Sequence, residues 1–411
     1  MNVSAPIAPW LSIIGIGEDG WDGLNAEARR LIASAELLYG GMRHLAHIPS
    51  TATDASRVQW PSPMASAINE IVTEHRGRRH ITVLGSGDPM LYGIGVPLTR
   101  QLPAGEFRIV PQLSAFSLAC ARLGWPQAET TLVSLVARPI EQLIRYLVPG
   151  QRLVVYSEDD TTPAKVAHLL AQYGYGASIL HVLERIGGPF ELHRSMLVSD
   201  WSIERCDSLN LIALVCVADA DARPLSIAPG IPDDAFETDG QLTKREVRAA
   251  TLARLAPLPG QTLWDVGAGT GTIGIEWMRV HPSCACVAFE SREDRATRIR
   301  RNAKRFGVPA LEVVHGMVPD AFEGLQSPHT IFIGGGIGTQ GLFEACWTRL
   351  LPGGRLVANA VTIASEACLA SWHKLYGGDL VRIQVAHADR IGGACVWRQR
   401  MPITQWMAIK S

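Results

Sequence analysis

The sequence predicts an α/β fold in two modules, and three of its features carry that prediction. Glycine-bounded apolar runs alternate with helical stretches along the whole chain, the pattern of sheets covered by helices. At 411 residues the chain is longer than one core usually fills. The alternation breaks clearly only at about 219–239, where DADARPLSIAPGIPDDAFETDG is rich in Pro, Asp and Gly and keeps no period. That stretch reads as an interdomain linker and divides the chain into modules 1–220 and 236–411.

In the first module, LSIIGIG (11–17), ITVLGSG (81–87), FRIVP (107–111), RLVVYS (152–157) and LNLIALVCV (209–217) read as buried strands. Gly15, Gly17 and Gly20 match G-x-G-x-x-G after the first strand, with Glu36 downstream. In a dinucleotide site that motif itself opens a helix, whereas GEDGWDGLNAEARR delays helical sequence to about Asn25, so a strand-exit loop is the better reading. More specific is GSGDPMLYG (85–93), in which Gly85, Gly87, Asp88 and Pro89 make a rigid turn with an exposed carboxylate. PQLSAFSLACARLGWP follows, with Ser114 placed to cap a helix.

In the second module TLWDVGAG, CVAFE, LEVVHG, TIFIGGG and GRLVANAV are strands, each followed by helical sequence, which suggests a doubly wound sheet. TLWDVGAGTGTIGIE (262–276) is the most informative stretch. It runs from strand through Asp265, Gly267, Gly269 and Gly271 into helix, the glycines letting backbone turn and approach a ligand. A dinucleotide fingerprint needs its third glycine at 272, where Thr272 stands. The acid two residues before a G-x-G-x-G run instead resembles motif I of class I methyltransferases. S-adenosyl-L-methionine presents a cationic sulfonium and ammonium, for which Asp265 is the candidate carboxylate. Glu290, about one βαβ step on, is placed to hydrogen-bond both ribose hydroxyls, and Gly316, ending LEVVHG, joins the cofactor-binding set.

The helix after Glu290 carries Ile299, Ala303 and Phe306 on one face and ends near Gly307. Its other faces hold Arg292, Arg295, Arg298, Arg300, Arg301, Lys304 and Arg305, either a solvated surface or a footprint for an anionic substrate or partner. Thr243 and Glu246 in TKRE form a capping box for a helix burying Val247, Ala250 and Leu255. Lys244, Arg245 and Arg248 remain free to face a polycarboxylate. FIGGG closes the fourth strand with Gly334, Gly335 and Gly336, which offer a substrate space and backbone but no side-chain acceptor.

Bulk composition narrows the classes further. With 47% hydrophobic and 19% charged residues the chain is a folded protein, and a net charge of -1 leaves no bulk footprint for nucleic acid. The start, MNVSAPIAPWLSIIGIG, has no charged leader, and no run of about 18 apolar residues occurs, so a cytoplasmic enzyme away from the membrane is expected. The eight cysteines form no C-x-x-C pair and the twelve histidines no H-x-x-x-H pattern, so no metal site is expected.

With LSIIGIG, GSGDPMLYG, QLSAFSLACARLGWP and ERIGGPFE in order, the first module resembles the tetrapyrrole methylases of cobalamin assembly. The motifs QLTKREVRAATLARL, LWDVGAGTGTIGIEW and FIGGG of the second resemble their class I partner. The resemblance covers nearly the whole chain. It implies a class III tetrapyrrole methylase of two α/β lobes followed by a Rossmann-like class I methyltransferase domain. It places Gly87, Asp88, Ser114, Ala115 and Ala213 at the first cofactor site. Many relatives carry His-Gly after VSL, where Val136 and Ala137 stand here, so no role is transferred there. The implied substrate is the tetrapyrrole precorrin-6Y, methylated at C5 by the first module and at C15 by the second. Loss of carbon dioxide from the C12 acetate gives precorrin-8X. The implied assembly is a homo-oligomer. The competing reading is a class I methyltransferase acting on RNA or protein, with a ligand-sensing first module. Meso carbons of a reduced tetrapyrrole are enamine-like nucleophiles needing alignment more than a strong base, and no proton-handling residue is named by the sequence.

Overall fold

The computed structural model describes residues 9–411. Two compact units emerge: residues up to Arg138 with Pro149–Ala222, and Pro139–Val148 with Arg223–Ser411.

Unit one holds two sheets. The first has five strands, β1 (Leu11–Ile16), β2 (Leu37–Gly40), β3 (Ser56–Gln59), β4 (Ile81–Ser86) and β5 (Phe107–Val110), in the order β3-β2-β4-β1-β5. Every neighbouring pair is parallel. β1 and β4 are buried on both faces, which is why each reads as a nearly unbroken apolar run. Asn25 Oδ1 accepts from Ala28 N at 2.8 Å and starts the Ala26–Ala33 helix, after a single turn at Gly20–Gly23.

The second sheet departs from a doubly wound pattern. Its strands are β6 (Thr130–Ser134), β7 (Arg152–Tyr156), β8 (Ile179–Glu184), β9 (Leu192–Leu197) and β10 (Asn210–Val215), in the order β6-β7-β10-β8-β9. Only β6 and β7 pair in parallel. β8 and β9 are joined through the ERIGGPFE turn, too short for a crossover helix, so the sheet must run antiparallel there.

Unit two has a seven-stranded sheet. β11 (Thr262–Val266), β12 (Ala285–Glu290), β13 (Glu312–His315), β14 (Thr330–Ile333) and β15 (Arg355–Ala360) are parallel. β16 (Asp379–Ile383) forms an edge, β17 (Ala386–Ile391) and β18 (Ala394–Gln399) pair only with each other, and β19 (Ile403–Ile409) runs antiparallel between β15 and β16. The sheet order is therefore β13-β12-β11-β14-β15-β19-β16. The Arg245–Leu255 and Thr272–Val280 helices cover one face with Leu252, Leu255, Ile273 and Trp277, and Phe343, Trp372 and Trp406 fill the other. Among the described residues no helix is long and apolar enough to cross a membrane, and no cluster of three or more His, Cys, Asp or Glu could hold a metal ion.

The stretch read as a linker is woven into unit two. The Leu225 carbonyl accepts from Arg279 Nη2 at 3.1 Å, Phe236 packs on Phe306 with ring centroids 4.4 Å apart, and Glu237 N donates to Asn302 Oδ1 at 3.0 Å. Backbone groups without regular partners find them in side chains instead, so a segment that looks structureless in sequence is held along its length.

The capping box does not form. The helix runs Arg245–Leu255 with Lys244 at its N-cap and no side-chain cap, and Glu246 faces His387 at 3.7 Å. Arg248 is not free either. It is fully buried: Nε donates to Glu276 Oε1 at 2.6 Å, Nη1 to Asp233 Oδ1 at 3.0 Å and to the Thr243 carbonyl at 2.6 Å, and Nη2 to the Ile231 carbonyl. Glu276 also accepts from Gly230 N and Ile231 N at 2.7 and 3.0 Å. Its spacing in TKREVR turns Arg248 inward, one turn beyond exposed Lys244 and Arg245. Arg248→Gln strands a buried carboxylate, so it should lower the unfolding free energy of unit two by about 3–5 kcal/mol in a denaturant titration.

Candidate functional sites

In unit two the chain leaves β11 through Gly267, Gly269 and Gly271, with φ of +71°, +59° and +79°. A Cβ on Gly267 would lie 2.9 Å from Gly335 N, so the loop after β11 and the loop after β14 touch backbone to backbone. Gly334 N donates to the Val266 carbonyl at 2.9 Å, which pins the same contact, and Gly336 has φ +76°.

Glu290 is almost fully buried at the end of β12. Its Oε2 accepts from Gly269 N at 2.9 Å and Oε1 from Arg292 N at 3.0 Å, leaving each oxygen a further lone pair. Gly316 N donates to the Glu290 carbonyl at 3.1 Å. Thr270 Oγ1 donates to the Gln241 carbonyl at 2.7 Å and lies 3.0 Å from Thr238 Oγ1, so the Arg248-anchored segment also braces the loop.

Asp265 lies beneath the loop rather than lining it. It is 1% exposed, its Oδ2 accepts from Gly274 N at 3.0 Å, and its Oδ1 has no partner. Burial pushes the carboxyl up to about 7, opposed by the Gly274 N–H and reinforced by Glu290. Its geometry makes it a brace between strand and helix with one unsatisfied oxygen. Lys244 and Arg245 are exposed, Lys244 Nζ lying 3.9 Å from Asp233.

The arginine-rich helix, Glu293–Arg305, buries Ile299 and Ala303, with Phe306 buried at its cap. Its charges are answered locally. Arg295 Nε bonds Asp239 at 2.8 Å, Arg301 pairs with Glu237, Arg292 with Asp294 at 2.9 Å and Arg300 with Glu293 at 3.4 Å. Arg298 lies 3.4 Å from Asp239, whose carboxyl the Arg295 hydrogen bond holds down at about 2. Most of its arginines are thus paired with neighbouring carboxylates, as on a solvated surface.

In unit one the turn after β4 meets the turn after β5. Gly87 has φ +54°, and a Cβ there would lie 2.9 Å from the Leu113 carbonyl and 3.0 Å from Ser114 Cα. Asp88 Oδ1 accepts from Met90 N at 2.8 Å, and Ser114 Oγ accepts from Ser117 N at 3.0 Å to start the Ala115–Leu123 helix. Ala213 is fully buried in the middle of β10, in a cluster with Ala119 and Val154 against which Ala115 of the Ser114-capped helix also packs. There its methyl group packs in the core.

Several groups at this site carry no motif. Tyr156, ending β7, accepts from Phe116 N at 3.1 Å and stands edge-on to Tyr92 at 6.3 Å. Burial holds the Tyr156 hydroxyl above its usual range. Beside Gly87, Ser86 Oγ lies 2.9 Å from His44 Nε2 and accepts from Arg43 Nη2 at 3.0 Å, while Arg43 also pairs with Glu18. The Met42–Ala46 helix that presents Arg43 and His44 follows β2, a strand of four residues, and no sequence period marks either element.

Two family models match: tetrapyrrole (corrin/porphyrin) methylases over residues 11–200, and precorrin methyltransferase domain over 234–410. Among curated relatives, a precorrin-6Y C(5,15)-methyltransferase [decarboxylating] from Sinorhizobium sp. is 46% identical, covering 98% of this chain and 97% of its own. The chain belongs to the precorrin-6Y C5,15-methyltransferase family. A second member, from Mycobacterium tuberculosis, is 42% identical over 97% of this chain and 99% of its own. The crystal structure of the C-terminal domain of precorrin-6Y C5,15-methyltransferase from Rhodobacter capsulatus aligns at 41% identity. It covers 45% of this chain and all of that one, with a TM-score of 0.43.

Asp265 makes a pH-dependent contribution whose sign is fixed by its raised value. The folded chain holds that proton up to about 7 against 3.8 for an ordinary carboxyl, so stability present below about pH 4 is lost as the pH rises toward 7. Asp265→Asn keeps an acceptor for Gly274 N and removes the loss. Unfolding titrations of both chains should show the variant gaining on the parent by a few kcal/mol between pH 4 and 7.5, since each tenfold change in proton affinity is worth about 1.4 kcal/mol.

Proposed function

We propose that this chain is a double methyltransferase that adds methyl groups to C5 and C15 of precorrin-6Y, with S-adenosylmethionine as donor, and releases the C12 acetate carboxyl as carbon dioxide to give precorrin-8X. The observation that carries the proposal is near full-length similarity to precorrin-6Y C5,15-methyltransferases, in a chain where each unit presents its own glycine-framed strand exit. Unit one is the C5 methylase and unit two the C15 methylase and decarboxylase in this reading.

The residues of unit two fit the donor. A loop of three left-handed glycines admits close backbone approach, Glu290 keeps free lone pairs for a ribose diol, and Asp265 Oδ1 is an unsatisfied buried acceptor beneath that loop. Bound there, the donor supplies an electrophilic methyl group on a sulfonium. The protein's part is alignment and exclusion of water. Gly334, Gly335 and Gly336 leave room for a macrocycle and put no lone pair in competition with the acceptor carbon. Lys244 and Arg245 are exposed at the helix start, and in this reading they answer the acceptor's carboxylates. In unit one, Gly87 and the Ser114 turn make the corresponding cradle, with Asp88 beside it. Carbon dioxide loss leaves an electron pair that the conjugated macrocycle absorbs.

The RNA or protein alternative loses its support with the paired arginine helix. Incubating the full chain with precorrin-6Y and S-adenosylmethionine should yield, by mass spectrometry, a gain of two methyl groups and a loss of one carbon dioxide. Gly87→Val should remove the C5 methylation by at least about 100-fold, and Gly267→Val the C15 methylation with the decarboxylation, because each branched side chain enters backbone where even a Cβ does not fit. Both methyl groups at parental rates in either variant would overturn the assignment.

A further inference from the structure

At the exit of β4, one residue before Gly87, stands a polar cluster to which the reading above gives no task. Ser86 is exposed. His44 lies behind it with Nε2 at 2.9 Å from Ser86 Oγ and 3.2 Å from Arg43 Nη2. A guanidinium only donates, so the His44 nitrogen facing it carries the lone pair and the proton sits on Nδ1. Arg43 also donates to Ser86 Oγ at 3.0 Å, which leaves the Ser86 hydroxyl hydrogen for His44 Nε2. The result is a serine hydroxyl at the surface, polarised by an arginine and backed by a neutral imidazole.

The cluster is held from both lobes of unit one. Glu18, beyond β1, pairs with Arg43 and lies 3.4 Å from His47 Nε2. A Cβ on Gly188 of the ERIGGPFE turn would sit 2.6 Å from Glu18 Cβ, so that turn closes on the same spot. Arg185 in this turn holds a left-handed φ of +46°, a strained conformation for a residue with a side chain, and bonds Asp207 at 2.6 Å. Burial and then the charge of Arg185 hold the Arg43 guanidinium below its usual range, which places the two cations near one another. The groups facing His44 are thus Arg43 on its own helix, His47 at that helix's end and Ser86 on β4, with Glu18 reaching it through Arg43 and His47, Asp19 through His47 and Arg185 through Arg43.

We propose that Ser86 and His44 form the proton relay of methyl transfer in unit one, with Arg43 and Arg185 holding a carboxylate of the tetrapyrrole beside it. The proposal rests on the reading that unit one methylates C5. In the step, the enamine carbon's π pair forms the new bond to the methyl group, and the breaking S–CH3 bond leaves its pair on sulfur as the thioether. Positive charge arrives on a conjugated ring nitrogen. Its N–H proton passes to Ser86 Oγ while the Ser86 hydroxyl proton passes to His44 Nε2, so one proton leaves the substrate for each methyl gained. Burial, then Arg43 and His47, push the imidazole down to about 4, so it stands ready as an acceptor at neutral pH, and carboxylates arriving beside it strengthen it as a base.

Two measurements test the relay. In the protein alone, nitrogen NMR should find His44 as the Nδ1–H tautomer, titrating near pH 4, with Ser86→Ala moving that titration. With precorrin-6Y and S-adenosylmethionine, His44→Gln and Ser86→Ala in the full chain should each slow C5 methylation about 100-fold, together no more than singly, with calorimetry still finding two donor molecules per chain. The acid fall-off of the C5 rate should vanish in His44→Gln, and added imidazole should restore rate to His44→Gly. A parental C5 rate and acid limb in His44→Gln would overturn the relay, as would a loss that imidazole leaves unmoved. If Gly87→Val also methylates C5 at the parental rate, the reading of unit one fails. If only Gly87→Val loses it, the relay alone fails.

Discussion

The buried ion pair between Arg248 and Glu276 is the constraint on which unit two depends. Two charges taken out of water cost several kcal/mol each unless their hydrogen-bonding capacity is filled. Here the guanidinium makes four hydrogen bonds that reach Glu276, Asp233, Thr243 and Ile231, and the carboxylate takes two backbone N–H groups besides. Such a pair tolerates little displacement, so the helix at Arg245–Leu255, the helix at Thr272–Val280 and the segment before them are set in one geometry. From that segment the Gln241 carbonyl and Thr238 reach Thr270, inside the glycine loop. The shape of the loop is thereby tied to a charge pair in the core.

The central parallel strands were legible because they are buried on both faces and bounded by glycine, as in LSIIGIG, ITVLGSG and TLWDVGAG. What escaped follows from the same physics. β3 is mostly exposed and has no apolar signature, and β18 is wholly exposed although it opens with the short apolar run ACVW. β19 ends the chain as ITQWMAI with no helix after it, so alternation gave no reason to expect a strand inserted antiparallel between β15 and β16. The segment at 219–239 looked like a linker because its order comes from side chains far along the chain, Glu276, Arg279 and Asn302, and period cannot report contacts of that kind.

The candidate sites divide the same way. Gly87, Gly267, Gly269 and Gly271 were legible, since a left-handed turn at a strand exit leaves few alternatives to glycine. Arg248 was misread because a cation in a basic cluster looks exposed until its buried partner, 28 residues on, is known. Ser86, His44 and Arg43 were invisible: they meet only because β2 and β4 are neighbours in the sheet although 42 residues separate Ser86 from His44. Unit one thus gathers its polar chemistry from separate strand exits, whereas unit two keeps its three left-handed glycines in one continuous motif and adds Glu290 from the next strand.

The contact between Gly267 and Gly335 carries one more consequence. With no side chain on either residue, the turn after β11 and the turn after β14 meet as bare backbone, and a methyl group added to Gly267 would already be too large. Neither turn can shift without the other. A ligand that displaced the FIGGG turn would therefore also change the free energy of the DVGAGTG turn, and reciprocity would require the converse by an equal amount.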